Sequence, residues 1–159
     1  MKNKSGKKLI LVIILISSII FGSLAYSHCQ IPCGIYNDQM RFDMIAEHLT
    51  TIEKSMKQIN ELSGEDKTNI NQIVRWIQNK EHHADELSEV ITYYFMAQRV
   101  KLPQGDNQKE QDEYVKKLVL LHKMLVYTMN SKQTTDLKNV EKLRSLLSDF
   151  KAVYTGEPG

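Results

Sequence analysis

Both cysteines of the chain fall within nine consecutive residues, His28-Cys29-Gln30-Ile31-Pro32-Cys33-Gly34-Ile35-Tyr36, together with a histidine and a tyrosine. A chain end made at His28 would add a fourth kind of donor. An α-amino group has a low enough pKa to give up its proton to a metal near neutral pH. The Cys29 backbone amide can be deprotonated by an ion that favours a square-planar field. The Cys29 and Cys33 thiolates then complete an N2S2 plane, with the His28 imidazole within reach of an axial position. Tetragonal geometry with nitrogen and soft sulfur donors selects Ni(II) or Cu(II) over zinc. Anionic thiolate and amidate donors also stabilise a higher oxidation state, which brings a Ni(III)/Ni(II) couple into biological range. Pro32 limits the freedom of the loop between the thiols, and Gly34 permits a turn that a side chain would hinder. Two other readings use the same residues. Cys29 and Cys33 could close a small disulfide in an exported helical binding module. Alternatively, zinc could take His28, both thiolates and an outside donor, with no need of a free amine.

The residues before this segment supply the chain end. Residues 1–8 carry Lys2, Lys4, Lys7 and Lys8 and no acid. Residues 9–20 are apolar except for Ser17 and Ser18, and Ala25-Tyr26-Ser27 places small residues at the −3 and −1 positions of a signal-peptidase site. This predicts a secretory signal peptide over 1–27, cleaved after Ser27, and an exported protein, periplasmic or extracellular. No twin-arginine pair is present, so the general secretory route is expected. After cleavage no stable membrane association is expected.

The chain has 159 residues, with 21 Lys+Arg against 19 Asp+Glu. Removing residues 1–27 leaves 132 residues with 17 basic and 19 acidic side chains. That balance argues against a nucleic-acid binder, which needs a basic face for phosphates. The length suits one domain with one core. Two cysteines are too few for a disulfide-built scaffold.

Four amphipathic stretches follow the segment. The first carries Ile45, Leu49, Ile52, Met56 and Ile59 at spacings of three and four, with Asp38 placed to cap its start and Gly64 to stop it. The second covers about 66–100, with Ile70, Ile73, Val74, Ile77, Ala84, Leu87, Ile91 and Phe95, and is long enough to bend. Leu102-Pro103-Gln104-Gly105 is a break. The third covers about 108–130, with Tyr114, Leu118, Leu121, Leu125 and Met129. The fourth starts near 134–136 and carries Leu137, Val140, Leu143, Leu147, Phe150 and Val153. Strand-like alternation is absent. The expected fold is all-α, an antiparallel up-and-down four-helix bundle over about 38–154, with the Met and aromatic residues of the stripes in its core.

The helices lack the usual metal motifs. A di-iron bundle needs Glu-x-x-His on two helices. Ile45, Asn79, Lys80 and Val119 stand three residues before His48, His82, His83 and His122. No C-x-x-C-H haem attachment exists. Glu81-His82-His83 is the one local donor cluster, but adjacent residues on a helix point about 100° apart. The pair does not converge on one ion and reads as a polar face. The bundle is therefore expected to be a scaffold.

His-Cys-x-x-Pro-Cys-Gly-x-Tyr at a processed N-terminus, ahead of a small helical bundle, resembles the nickel hook of the nickel-containing superoxide dismutases. The resemblance implies nickel, one ion per subunit, held by the His28 amine and imidazole, the Cys29 amide and thiolate, and the Cys33 thiolate. It implies disproportionation of superoxide to dioxygen and hydrogen peroxide, a homohexamer, and a place for Tyr36 beside the metal, ordering small anions or water. Gln30 stands where well-known members carry Asp. Asp43, after Arg41-Phe42, is the nearest match to a family Glu that hydrogen-bonds the axial imidazole. His83 falls where the Arg completing that network would be.

Overall fold

The computed structural model describes residues 38–64 and 69–156. They form four α-helices, α1 (Asp38–Ser63), α2 (Ile70–Glu89), α3 (Gln108–Gln133) and α4 (Lys138–Thr155). A ten-residue π-helical segment, Val90–Arg99, continues α2 without interruption. No strand occurs among the described residues. α1 packs mainly on α2 and α3 mainly on α4. α2 against α3 and α1 against α4 close the ring. This is the expected four-helix bundle.

The local signals act where physical chemistry puts them. Gly64 follows α1, its N–H bonded to the Glu61 carbonyl at 3.1 Å. The Asn69 side chain caps α2 by accepting from the Gln72 N–H at 3.2 Å. The start expected near residue 66 lies outside the described residues. The long second stretch changes pitch rather than kinking: the Val100 N–H reaches back five residues to the Phe95 carbonyl at 2.9 Å. Such wider turns are uncommon and cluster at functional positions. Gly105 takes φ +95° in the break before α3, a backbone state that disfavours side-chain-bearing residues. Asn107 caps α3, and the Asp136 carboxylate accepts from the Lys138 N–H at the start of α4.

The α1 stripe is buried as expected, with Phe42 added. The other faces differ in part. Ile70, Val74 and Ile77 of α2 are exposed, and Met129 of α3 is half-exposed. Leu120, Leu121, Met124 and Thr128 form the buried seam of α3, and Leu146 rather than Leu147 completes that of α4. The reason is that α3 carries apolar residues on two neighbouring stripes. Periodicity reveals that a helix is amphipathic but not which of two such stripes meets its partners. At one end of the core Phe42, Phe95, Phe150 and Tyr154 form an aromatic cluster, with ring centroids 4.9–5.8 Å apart. This packs α1, the π-helical segment and α4 together at the end where α1 begins. No helix among the described residues is long and apolar enough to cross a membrane.

Candidate metal centre

His28, Cys29, Cys33 and Tyr36 lie outside the described residues, as does Gln30. The structure describes the point to which that segment is joined. Asp38, two residues beyond Tyr36, opens α1. Its carboxylate does not serve as the expected helix cap. It accepts hydrogen bonds from the Tyr94 hydroxyl at 2.5 Å, the Arg99 guanidinium at 2.6 Å and the Tyr154 hydroxyl at 2.8 Å. Arg99 also donates to the Tyr154 hydroxyl at 3.2 Å. Tertiary donors win over the local cap because one of them is charged, and charge-assisted bonds are roughly twice as strong as neutral ones. The first residue of α1 is thereby tied to the π-helical segment and to α4.

The electrostatics follow from this geometry. Burial pushes the Asp38 carboxyl up, but bonds from Arg99, Tyr94 and Tyr154 outweigh it and hold the group below its ordinary value. Burial, then the bond to Asp38, pushes Tyr94 up to about 12. Tyr154 is raised for the same two reasons. Arg99 is raised by its bond to Asp38 and stays a cation at all relevant pH. The Arg99 and Arg41 guanidiniums lie 5.9 and 5.0 Å from the Tyr94 ring centroid. The network is thus one carboxylate anion held by one cation and two neutral phenols.

The two residues matched to the imidazole network take separate partners. Asp43 is exposed, and its carboxylate accepts from Gln39 at 2.6 Å. His83 lies against buried His48 of α1, Nδ1 to Nδ1 at 3.0 Å. Among the described residues His48, His83 and Glu86 are the one group of three potential ligands whose donor atoms converge. That set contains no sulfur, so it does not offer the thiolates a redox nickel site calls for. His82 does not join its neighbour in this set, as its place on the helix predicted. The convergence of His83 with His48 was missed, because the partner is 35 residues away. The sequence signal that was present is His83-x-x-Glu86, the reverse order of the motif sought.

A family model for the nickel-containing superoxide dismutases matches residues 23–157. The chain belongs to that family. No curated protein and no solved structure matches the chain. The enzyme is accordingly an oxidoreductase with nickel as cofactor and superoxide as substrate. In this dismutase the Asp38 network is the described part of the bundle nearest in sequence to the cysteines.

Proposed function

We propose that the dismutase binds nickel at the segment His28–Tyr36 after removal of residues 1–27, through the His28 amine and imidazole, the Cys29 amide and thiolate, and the Cys33 thiolate. One observation carries this reading: every thiol of the chain lies in this segment, directly behind a signal-peptidase site that would make His28 the first residue. The donor set fits nickel, since amine, amide and two thiolates supply the nitrogen and sulfur plane that nickel prefers. Bound there, nickel supplies a one-electron couple that alternately oxidises and reduces superoxide, so that two superoxide ions and two protons become dioxygen and hydrogen peroxide. The chain's own residues do the rest. Pro32 limits the freedom of the loop between the thiols, and Gly34 permits a turn just after the second. Tyr36 orders water or small anions with its hydroxyl. Gln30, standing where Asp is usual, leaves that position uncharged. Asp43 and His83 have partners of their own, which weighs against their forming the family's pair beside the imidazole.

The enzyme is exported, periplasmic or extracellular, and assembles as a homohexamer. Supporting the assembly are two exposed apolar rows, Val115, Val119, Val126 and Met129 on α3 and Ile70, Val74 and Ile77 on α2. Exposed apolar side chains gathered on one helix face are of the kind that contact with other chains covers. The experiment that tests the proposal is to compare chains beginning at His28 with chains that retain Ser27. Retention should remove the amine donor and abolish nickel-dependent dismutation while helicity stays unchanged. Full activity with Ser27 attached would overturn the amine-ligand assignment.

A further inference from the structure

The cluster of His48, His83 and Glu86 is built by two helices. His48 is buried on α1, and His83 and Glu86 sit three residues apart on α2, where such a spacing puts them side by side. The two Nδ1 atoms are 3.0 Å apart, and each is 3.6 Å from the same carboxylate oxygen, Glu86 Oε2. The centre of the triangle they form is about 2.0 Å from each, and moving an ion about 0.7 Å out of that plane toward a fourth ligand lengthens this only to about 2.1 Å, the range zinc takes to imidazole nitrogen and carboxylate oxygen. At 3.6 Å the carboxylate is too far to hydrogen-bond either ring directly. The outer arrangement also suits a metal. His82 Nε2 stands 3.4 Å from the other oxygen of Glu86, the kind of support that fixes a ligating carboxylate. A cavity of about 200 Å³ bordered by Arg41, His48, Glu86 and Tyr93 adjoins the cluster and leaves room for a water in a fourth position.

We infer that His48, His83 and Glu86 form a second metal site, a zinc site that clamps α1 to α2. Two imidazoles and one carboxylate with an open position are a zinc donor set. The site has neither thiolates nor a chain-end amine and does not depend on the nickel assignment. Metal here joins α1 to α2, the pair that packs most extensively, so its occupancy adds to the stability of the bundle by mass action.

The test titrates Zn(II), and Co(II) as its coloured stand-in, into nickel-loaded mature protein. One ion per subunit beyond nickel is expected, with the visible bands of Co(II) in a low-coordinate nitrogen and oxygen field and a rise in melting temperature. His83→Ala and Glu86→Gln alter partly exposed side chains, so the fold should persist, as circular dichroism would check. Each should weaken uptake by about a hundredfold and remove the zinc-dependent rise, with nickel content unchanged. His122→Ala, on the exposed face of α3, should bind zinc as the parent does. Absence of a second ion in the parent, or equal uptake by His83→Ala and Glu86→Gln, would overturn the site. If the segment at His28 held zinc instead of nickel, the parent would take two zinc ions and the variants one. The nickel reading alone would then fail.

Discussion

Replacing Asp38 with asparagine keeps the shape of the side chain and removes its charge. In the parent the carboxylate receives three donors, at 2.5, 2.6 and 2.8 Å. A hydrogen bond to a charged group contributes about 1.5–3 kcal/mol net and a neutral one about 0.5–1.5. The two phenol bonds would each fall from the first class to the second, a loss of about 1 kcal/mol apiece. The amide also turns a donor toward one of these donors and deprives Arg99 of its anion. Water recovers part of that last loss, since the Asp38 and Arg99 side chains are 24% and 35% exposed. The expected cost of Asp38→Asn is therefore about 2–3 kcal/mol, read as a lower urea midpoint by helical circular dichroism with an unchanged slope. Tyr94→Phe should cost about 1.5–3 kcal/mol, since it deletes one charge-assisted bond. The double variant should lose less than the sum of the two, because both remove the same bond. Superoxide decay by pulse radiolysis should slow several-fold in Asp38→Asn at equal nickel per subunit, because Asp38 stands two residues after Tyr36 in the chain. An Asp38→Asn cost below about 0.5 kcal/mol, or strict additivity with Tyr94→Phe, would refute the network as the anchor of α1.

Two further outcomes follow from the same structure. Tyr94 is held up to about 12 in the fold against an ordinary value of 10.0. Between those values the unfolded chain has released a proton that the folded chain still holds, so stability should fall as pH rises from 10 to 12; Tyr94→Phe should flatten this alkaline limb, and an identical limb would show that another group sets it. Lys80 is buried, and its ammonium donates to the carbonyls of Lys132 and Thr134 at the C-terminal end of α3. Lys80→Met should cost about 2 kcal/mol in urea unfolding and leave nickel content untouched. A midpoint equal to the parent's would mean that water replaces the ammonium at no cost.

Some of this architecture was legible in the sequence because its causes are local. The α1 stripe of Ile45, Leu49, Ile52, Met56 and Ile59 is buried throughout, since only one apolar face exists on that helix and it can turn only one way. Gly64 and the break around Gly105 act through backbone freedom, which belongs to single residues. The outward turn of Ile70, Val74 and Ile77 was not legible. Those residues obey the same spacing as a core stripe, and Ile77 shares a helix face with buried Ala84 one heptad on, so their exposure reflects how little of the first turns of α2 is covered by other helices and not the spacing itself. Nor does any local signal in residues 90–99 distinguish a π-helical pitch from an α-helical one.

The polar groups were harder to place, for a reason of distance along the chain. Asp38 precedes an amphipathic run and reads as a cap, and that is the only partner its neighbours could offer. The donors that claim it, Tyr94, Arg99 and Tyr154, stand 56, 61 and 116 residues away. They meet beside the aromatic cluster, where α1, the π-helical segment and α4 pack together. The same holds for His48 and His83, each unremarkable on its own helix and 3.0 Å apart once the helices pair. The cysteine segment is the opposite case. Its donors are contiguous in sequence, so its chemistry needs no fold to be read. That contrast orders the consequences of substitution. Changes at Cys29 or Cys33 should remove the reaction and spare the bundle, whereas changes at Asp38 or Arg99 should weaken the bundle first and the reaction through it.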